Sequence, residues 1–212
     1  MKAFFSDIRT PLKKETINQQ IILSIGFIIC GGVLGVVQKW LDGLPINALP
    51  SLLQQLDIGN YFGRLAIWIL LATAIAVYSS TPIRAAINTF LFLMSMVGGY
   101  YLYCHFVSGF LPVTYMMVWI IISFSSIFLG FICWYAKGQG IIAILISGTI
   151  LGVLFSQAFL ITQGIYMTHF LEVITWIIGV LILYRKPKEF AFELGISFVV
   201  AIIYQLLIPY YG

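Results

Sequence analysis

IIAILISGTILGVLFSQAFLIT, residues 141–162, is an uncharged run of twenty-two residues. At 1.5 Å per residue, about 20 helical residues cross a hydrocarbon layer roughly 30 Å thick, so the run is long enough to span a bilayer. Its apolar residues are continuous. A membrane β-strand would alternate lipid-facing and lumen-facing residues every second position. Hydrocarbon offers the backbone no hydrogen bonds, and a helix satisfies its own. The remainder of the chain has the same character. Of 212 residues, 61% are hydrophobic and 8% charged, with a mean hydropathy of +1.05, whereas a soluble domain carries about a quarter charged residues. The expected fold is all-α, a polytopic transmembrane helix bundle forming a single domain over residues 1–212.

Working outward from 141–162, seven runs qualify as spans: about 21–37, 65–80, 85–106, 113–135, 141–162, 165–184 and 190–210. Cytoplasmic segments accumulate Lys and Arg, which resist translocation. With the N-terminus inside and the C-terminus outside, the inner set is Lys2, Arg9, Lys13, Lys14, Arg84, Lys137, Arg185, Lys186 and Lys188, and only Lys39 and Arg64 lie outside. The net charge of +4 is thus spread over span ends and does not form a nucleic-acid-binding patch. The first run follows Lys13 and Lys14 in the manner of a signal peptide. It ends in Gly31-Gly32-Val33-Leu34-Gly35 without a small-x-small cleavage site, so an uncleaved first span is expected.

One outer segment, residues 38–63, is long enough to carry structure of its own. Leu49, Leu52, Leu53 and Leu56 recur there at helical spacing opposite Gln54, Gln55 and Asp57, which predicts an amphipathic helix with Pro50 in its first turn. Trp40, Tyr61, Tyr100, Tyr101, Tyr103, Trp134, Tyr135, Tyr184, Tyr210 and Tyr211 fall near span ends, as an aromatic belt requires. Cys30, Cys104 and Cys133 have neither paired nor metal-ligand spacing and read as small packing residues. Gly31 and Gly35, the set Gly148, Gly152 and Ser156, and the set Ser123, Ser126, Gly130 and Cys133 form seams of small residues. Such seams let helices pack closely within the bundle or against a membrane partner.

The conspicuous polar stripe lies on the sixth run, where Thr168, His169, Glu172, Thr175 and Trp176 share one face of a continuous helix. A carboxylate within a span is costly unless neutralised, paired or hydrated, so Glu172 should face the interior. The topology sets His169 and Glu172 in the outer leaflet near the depth of Gln157, with Arg64 and His105 ending their spans on that side. Two readings stand. In one, these five residues line an outward-facing pocket where Glu172 binds a cation or a ligand ammonium and His169 tunes its protonation. In the other, Glu172 pairs with Arg64, or is hydrogen-bonded to His169 or a threonine, and fixes helix register. Glu193 is expected to pair with Lys186 or Lys188 at the interface. The turn from Tyr78 to Asn88 reads as capping chemistry, with Asn88 reaching a neighbouring helix.

Enzyme chemistry is little supported. Asp7, Asp42 and Asp57 all lie outside the spans, which removes the facing aspartates of an intramembrane protease. No G-x-S-x-G, G-x-x-x-x-G-K or H-E-x-x-H pattern occurs. No motif calls for a cofactor, and two histidines alone make a metal site an unfavoured reading. Arg64-x-x-x-Trp68, Tyr78-Ser79 to Asn88, Tyr100-Tyr101, Gly109-Phe110-x-Pro112-x-x-Tyr115 and Trp134-Tyr135-Ala136-Lys137-Gly138 together resemble small, uncharacterised multi-span proteins of Gram-positive bacteria. The resemblance implies a multi-pass protein of the bacterial cytoplasmic membrane. The leading expectation is a small-solute or ion binding or transport component in the lipid bilayer. The alternatives are an accessory or scaffold protein that holds a membrane protein partner, and an intramembrane enzyme using Glu172 and His169 as general acid and base.

Overall fold

The computed structural model describes residues 7–11, 15–45 and 48–208. Lys2, Lys13, Lys14, Tyr210 and Tyr211, named above for topology and the aromatic belt, lie outside the described residues. Among the described residues the fold is all-α apart from one small hairpin. In chain order it has α1 (Ile17–Asp42), two short helices α2 (Ser51–Gln55) and α3 (Ile58–Tyr61), then α4 (Leu65–Tyr78), α5 (Pro82–Tyr103) and α6 (Val113–Trp134). After α7 (Gly140–Ala158) come strands β1 (Phe159–Ile161) and β2 (Ile165–Met167), followed by α8 (Phe170–Leu183) and α9 (Pro187–Leu207). Among the described residues, five helical segments are long and apolar enough to cross a membrane: Ile17–Asp42, Pro82–Ser108, Val113–Lys137, Gly140–Ala158 and Pro187–Leu207. The other two predicted spans correspond to the 14-residue apolar helices α4 and α8, each about 21 Å long.

Local chemistry sets the helix ends. Thr16 and Gln19 form a capping box at the start of α1, Thr81 caps α5 with Pro82 in its first turn, and Pro187 opens α9. Helix α5 runs on through a π-helical turn, Cys104–Ser108, and stops at Gly109, whose φ of 72° suits glycine. The predicted amphipathic helix differs from expectation. It is two short pieces, with Pro50 at the N-cap of the first and not within its first turn. The break is Asp57, which adopts a left-handed conformation (φ 54°) and accepts a hydrogen bond from Asn60 Nδ2 at 2.7 Å. Asp tolerates that conformation where a side-chain bond supports it.

The chain divides into two compact units. The described residues of Met1–Thr10, Arg64–Ala74 and Tyr135–Gly212 form one, and those of Pro11–Gly63 and Ile75–Trp134 form the other. In the second unit, α1 packs along α5 at near-backbone distance. A Cβ added at Gly31 would overlap the Phe92 carbonyl, one at Gly35 the Met96 carbonyl, and one at Gly99 would overlap Gly32. Gly130 of α6 meets Thr89 and Ala85 of α5 in the same way. In the first unit, Gly148 and Gly152 of α7 admit Ile196, Ser197 and Val200 of α9, and Gly179 of α8 admits Leu154 of α7. The small-residue seams are therefore filled by helices of the chain itself. Ile17, Ile21, Ile25, Ile29 and Val33, by contrast, leave the outer surface of α1 apolar and exposed.

Gly35→Leu should lower thermal stability in detergent by roughly 1–3 kcal/mol, the usual cost of overpacking. Gly26→Leu, where nothing lies within 4 Å, should be tolerated. Equal melting of the two variants would show that the close approach does not hold α1 to α5.

Candidate functional site

The sequence reading carries α8 back to Ile165 as one helix, and the structure corrects this. Residues Ile165–Met167 pair antiparallel with Phe159–Ile161, and the Thr162 N–H to Gly164 carbonyl bond of 3.0 Å closes the turn. Branched residues around a glycine-containing turn favour a hairpin. Its polar edge is satisfied by Gln205 of α9, whose Oε1 accepts from the Ile161 N–H at 2.9 Å. The Gln205 Nε2 donates to the carbonyls of Phe159 (2.6 Å) and Ser156 (3.2 Å). Sequence reasoning missed Gln205. The signal was available, because an uncharged amide near the end of an apolar run must find partners of its own.

Thr168 and His169 consequently precede the helix. Thr168 closes the C-terminal end of α7, its hydroxyl donating to the carbonyls of Gln157 (2.6 Å) and Ala158 (2.9 Å). His169 is the N-cap residue of α8, in an extended conformation. Glu172 then falls in the first helical turn, where the helix dipole favours a carboxylate. It is 2% exposed and its Oε1 accepts a hydrogen bond from Arg64 Nε. Its second oxygen, Oε2, has no hydrogen-bond partner among the described residues. One turn further on, the buried Nε1–H of Trp176 is also without one. The Trp176 ring stands edge-on to Phe155 and Phe159, with centroids at 5.5 and 5.6 Å. Thr175 turns its hydroxyl back to the Leu171 carbonyl at 2.7 Å.

Of the five predicted site residues, Arg64 and Glu172 are joined directly, and His169 lies on the cap of the helix that carries Glu172. Gln157 contributes its backbone carbonyl to Thr168. His105 belongs to the other unit, is exposed in the π-helical turn and packs its ring on Phe106 at 4.8 Å. Among the described residues, no three His, Cys, Asp or Glu side chains are grouped to hold a metal ion.

A second charged centre occupies the first unit. Glu193 is 0% exposed, and its partner is Arg185, with Nε to Oε2 at 3.8 Å. The interfacial pair with Lys186 or Lys188 expected from sequence is replaced by this buried one. Arg185 also binds the carbonyls of Ala136 and Gly138 and lies 3.7 Å from Glu189. Lys137 Nζ donates to the Ile182 carbonyl at 2.7 Å, near the C-terminal end of α8, where the dipole favours a cation. In the other unit Asn88 reaches α1, as expected. Its Oδ1 accepts from Ser24 (3.4 Å) and from Arg84 (2.9 Å), while Arg84 also reaches the Gln20 carbonyl at 2.9 Å.

Comparison with protein-family models, with curated proteins and with solved structures finds no match.

Arg64→Met should destabilise the protein by about 3–5 kcal/mol, because it leaves a buried carboxylate without its cation. Adding Glu172→Gln should restore most of that loss. Thermal unfolding of the two single variants and the double variant reads the coupling. Additive losses would show that the two side chains are energetically independent.

Proposed function

We propose that the chain is a small-solute or ion binding or transport component of a bilayer, and that Glu172 is its ligand-binding group. One observation carries the reading: a carboxylate almost wholly out of water has only one of its oxygens hydrogen-bonded. A buried pair repays its desolvation best when its remaining lone pairs are satisfied; Glu193 shares the open oxygens, but its Arg185 is tied to the Ala136 and Gly138 carbonyls of the same unit. A carboxylate kept for a ligand leaves an acceptor open. The unpaired indole N–H of Trp176 adds a donor on the next turn of the same helix. Arg64 then acts as the resident counter-ion, which a cation or ammonium ligand displaces from Glu172. The scaffold alternative keeps only the outer amphipathic segment as its motive, since the glycines of the seams receive helices of the same chain.

The reading includes a topology. The short helices α4 and α8 complete seven spans, with the N-terminus in the cytoplasm of a bacterial cell and the C-terminus outside. The cation asymmetry in the sequence supports this orientation.

A thermal-unfolding screen of the purified protein against ions, amino acids, vitamins and lipids tests the binding function. A ligand a hundredfold above its Kd should stabilise the wild type by about 2.7 kcal/mol and leave Glu172→Gln unmoved. Failure of every compound to stabilise the wild type, with Glu172→Gln melting like it, would sink the proposal for those classes. The orientation is tested separately in a chain whose three cysteines are replaced by serine. A membrane-impermeant maleimide on intact bacteria should label Gln163→Cys and spare Gln139→Cys, and the reverse pattern would overturn the topology.

A further inference from the structure

The second unit contains a cavity that the Glu172 reading does not use. It lies between α1, α5 and α6 and is lined by Gln38, Tyr100, Tyr101, Tyr115 and Trp119, with room at its centre for one water-sized group. The glycine seam puts it there. Gly31, Gly35 and Gln38 occupy successive turns of one face of α1, and the close approach at Gly35 draws that face onto Met96 and Tyr100. The rings form a continuous wall, with Tyr100 to Tyr101 at 5.1 Å, Tyr100 to Tyr115 at 6.0 Å and Tyr115 to Trp119 at 6.0 Å.

Two polar atoms are stranded in this aromatic lining. Gln38 is 4% exposed and Tyr101 is 8% exposed, and among the described residues neither Gln38 Oε1 nor the Tyr101 hydroxyl has a hydrogen-bond partner. Buried polar atoms are rarely left so, and two on one cavity point to an occupant that serves both. The chemistry of the pair defines it. An amide oxygen only accepts, whereas a phenol both donates and accepts. A single hydroxyl that donates to Gln38 Oε1 and accepts from Tyr101 satisfies the two together. The nearby charges give a charged ligand no advantage. Lys39 and Asp42 neutralise each other at 2.7 Å, Tyr100 donates to Asp42 at 3.3 Å, and the Lys39 ammonium lies 5.5 Å from the Tyr100 ring centroid. The Lys39 ammonium that lies over the Tyr100 ring is also 5.5 Å from the Phe110 ring centroid, and the turn that carries Phe110 exposes Phe106, Val107 and Leu111 as apolar surface.

We propose that this cavity binds the hydroxyl of an uncharged alcohol or phenol carried on an apolar body. The alcohol comes either from the lipid phase or from a free small molecule, and both present the same group to Gln38 and Tyr101. The site is independent of Glu172.

The test uses the full chain in phosphatidylcholine nanodiscs, with fluorine NMR of 4-fluorophenol and of 4-fluorotoluene, which has a similar shape but no hydroxyl. The phenol should bind saturably, and the toluene about tenfold more weakly. Gln38→Leu and Tyr101→Phe should each reduce phenol affinity about tenfold, equivalent to 1.4 kcal/mol, and leave the toluene unchanged. Displacement of the phenol by dioleoylglycerol assigns the site to a lipid alcohol, and its failure assigns the site to a free one. Linear partitioning of both probes would mean that the cavity holds water alone, and saturable binding indifferent to both variants would place the phenol elsewhere. Either overturns the proposal. Should Gln38→Leu not fold, Tyr101→Phe and the phenol-to-toluene comparison on the wild type still decide it.

Discussion

Hydrocarbon accepts no hydrogen bonds, and the arrangement of this chain follows from that constraint. Helices satisfy their own backbones along their lengths, so the places that demand explanation are their ends and the few polar side chains between them. The end of α7 and the beginning of α8 show the solution. Instead of stopping in open loop, the backbone of residues 159–167 folds into a hairpin, Thr168 closes the last carbonyls of α7, and Gln205 from α9 supplies both a donor and an acceptor to the strand edge. At the opposite ends of these helices, Arg185 and Lys137 bind carbonyls of the 136–138 segment and of α8. A single glutamine and two cations thus close backbone that lipid would leave unsatisfied.

The same constraint explains the closeness of the helices. Lipid chains are as apolar as leucine, so helices gain little by hiding apolar side chains from them, and packing must come from contact. Gly31, Gly35 and Gly99 bring two backbones together with no side chain between them. Close approach also carries polar groups inward. Gln38 follows the glycine face of α1 into an aromatic environment, and Glu193 lies where Gly148 lets α9 meet α7. The seam that packs the helices also creates buried polar positions.

Much of this is legible in the sequence. Long uncharged runs announce helices because only a helix uses them fully, and glycines four residues apart announce contact faces. The Arg64–Glu172 pair is one of two readings that follow from the cost of a lone carboxylate. The hairpin is hidden because Phe159–Ile161 and Ile165–Met167 are apolar and continue the helical runs on either side, so hydropathy alone does not separate strand from helix there. The same ambiguity misplaces Thr168 and His169, which fit a helical stripe by spacing and instead cap two different helix ends. Arg185 reads as a marker of topology because Lys186 and Lys188 stand beside it. Burial, which sequence does not display, distinguishes the arginine that clamps Ala136 and Gly138 from the lysines next to it. Asp57 cannot be foreseen as a helix break, because the pattern of leucines runs up to it without interruption.

Two of the centres with unsatisfied polar atoms, at Glu172 and at Gln38 with Tyr101, differ in a way that bears on what each can hold. At Glu172 the unpaired atom belongs to a group whose charge is already balanced by Arg64, so a ligand entering there must bring charge or exchange with the arginine. At Gln38 and Tyr101 both unpaired atoms are neutral, and the nearest charges cancel through Lys39 and Asp42. An ion entering that aromatic cavity would lose its hydration without gaining a counter-charge, while a hydroxyl would lose little and satisfy two atoms. Charge therefore separates the sites more sharply than size does. On the two proposals, the chain would present one site for charged ligands and another for uncharged amphiphiles, each defined by which polar atoms its helix packing leaves without partners.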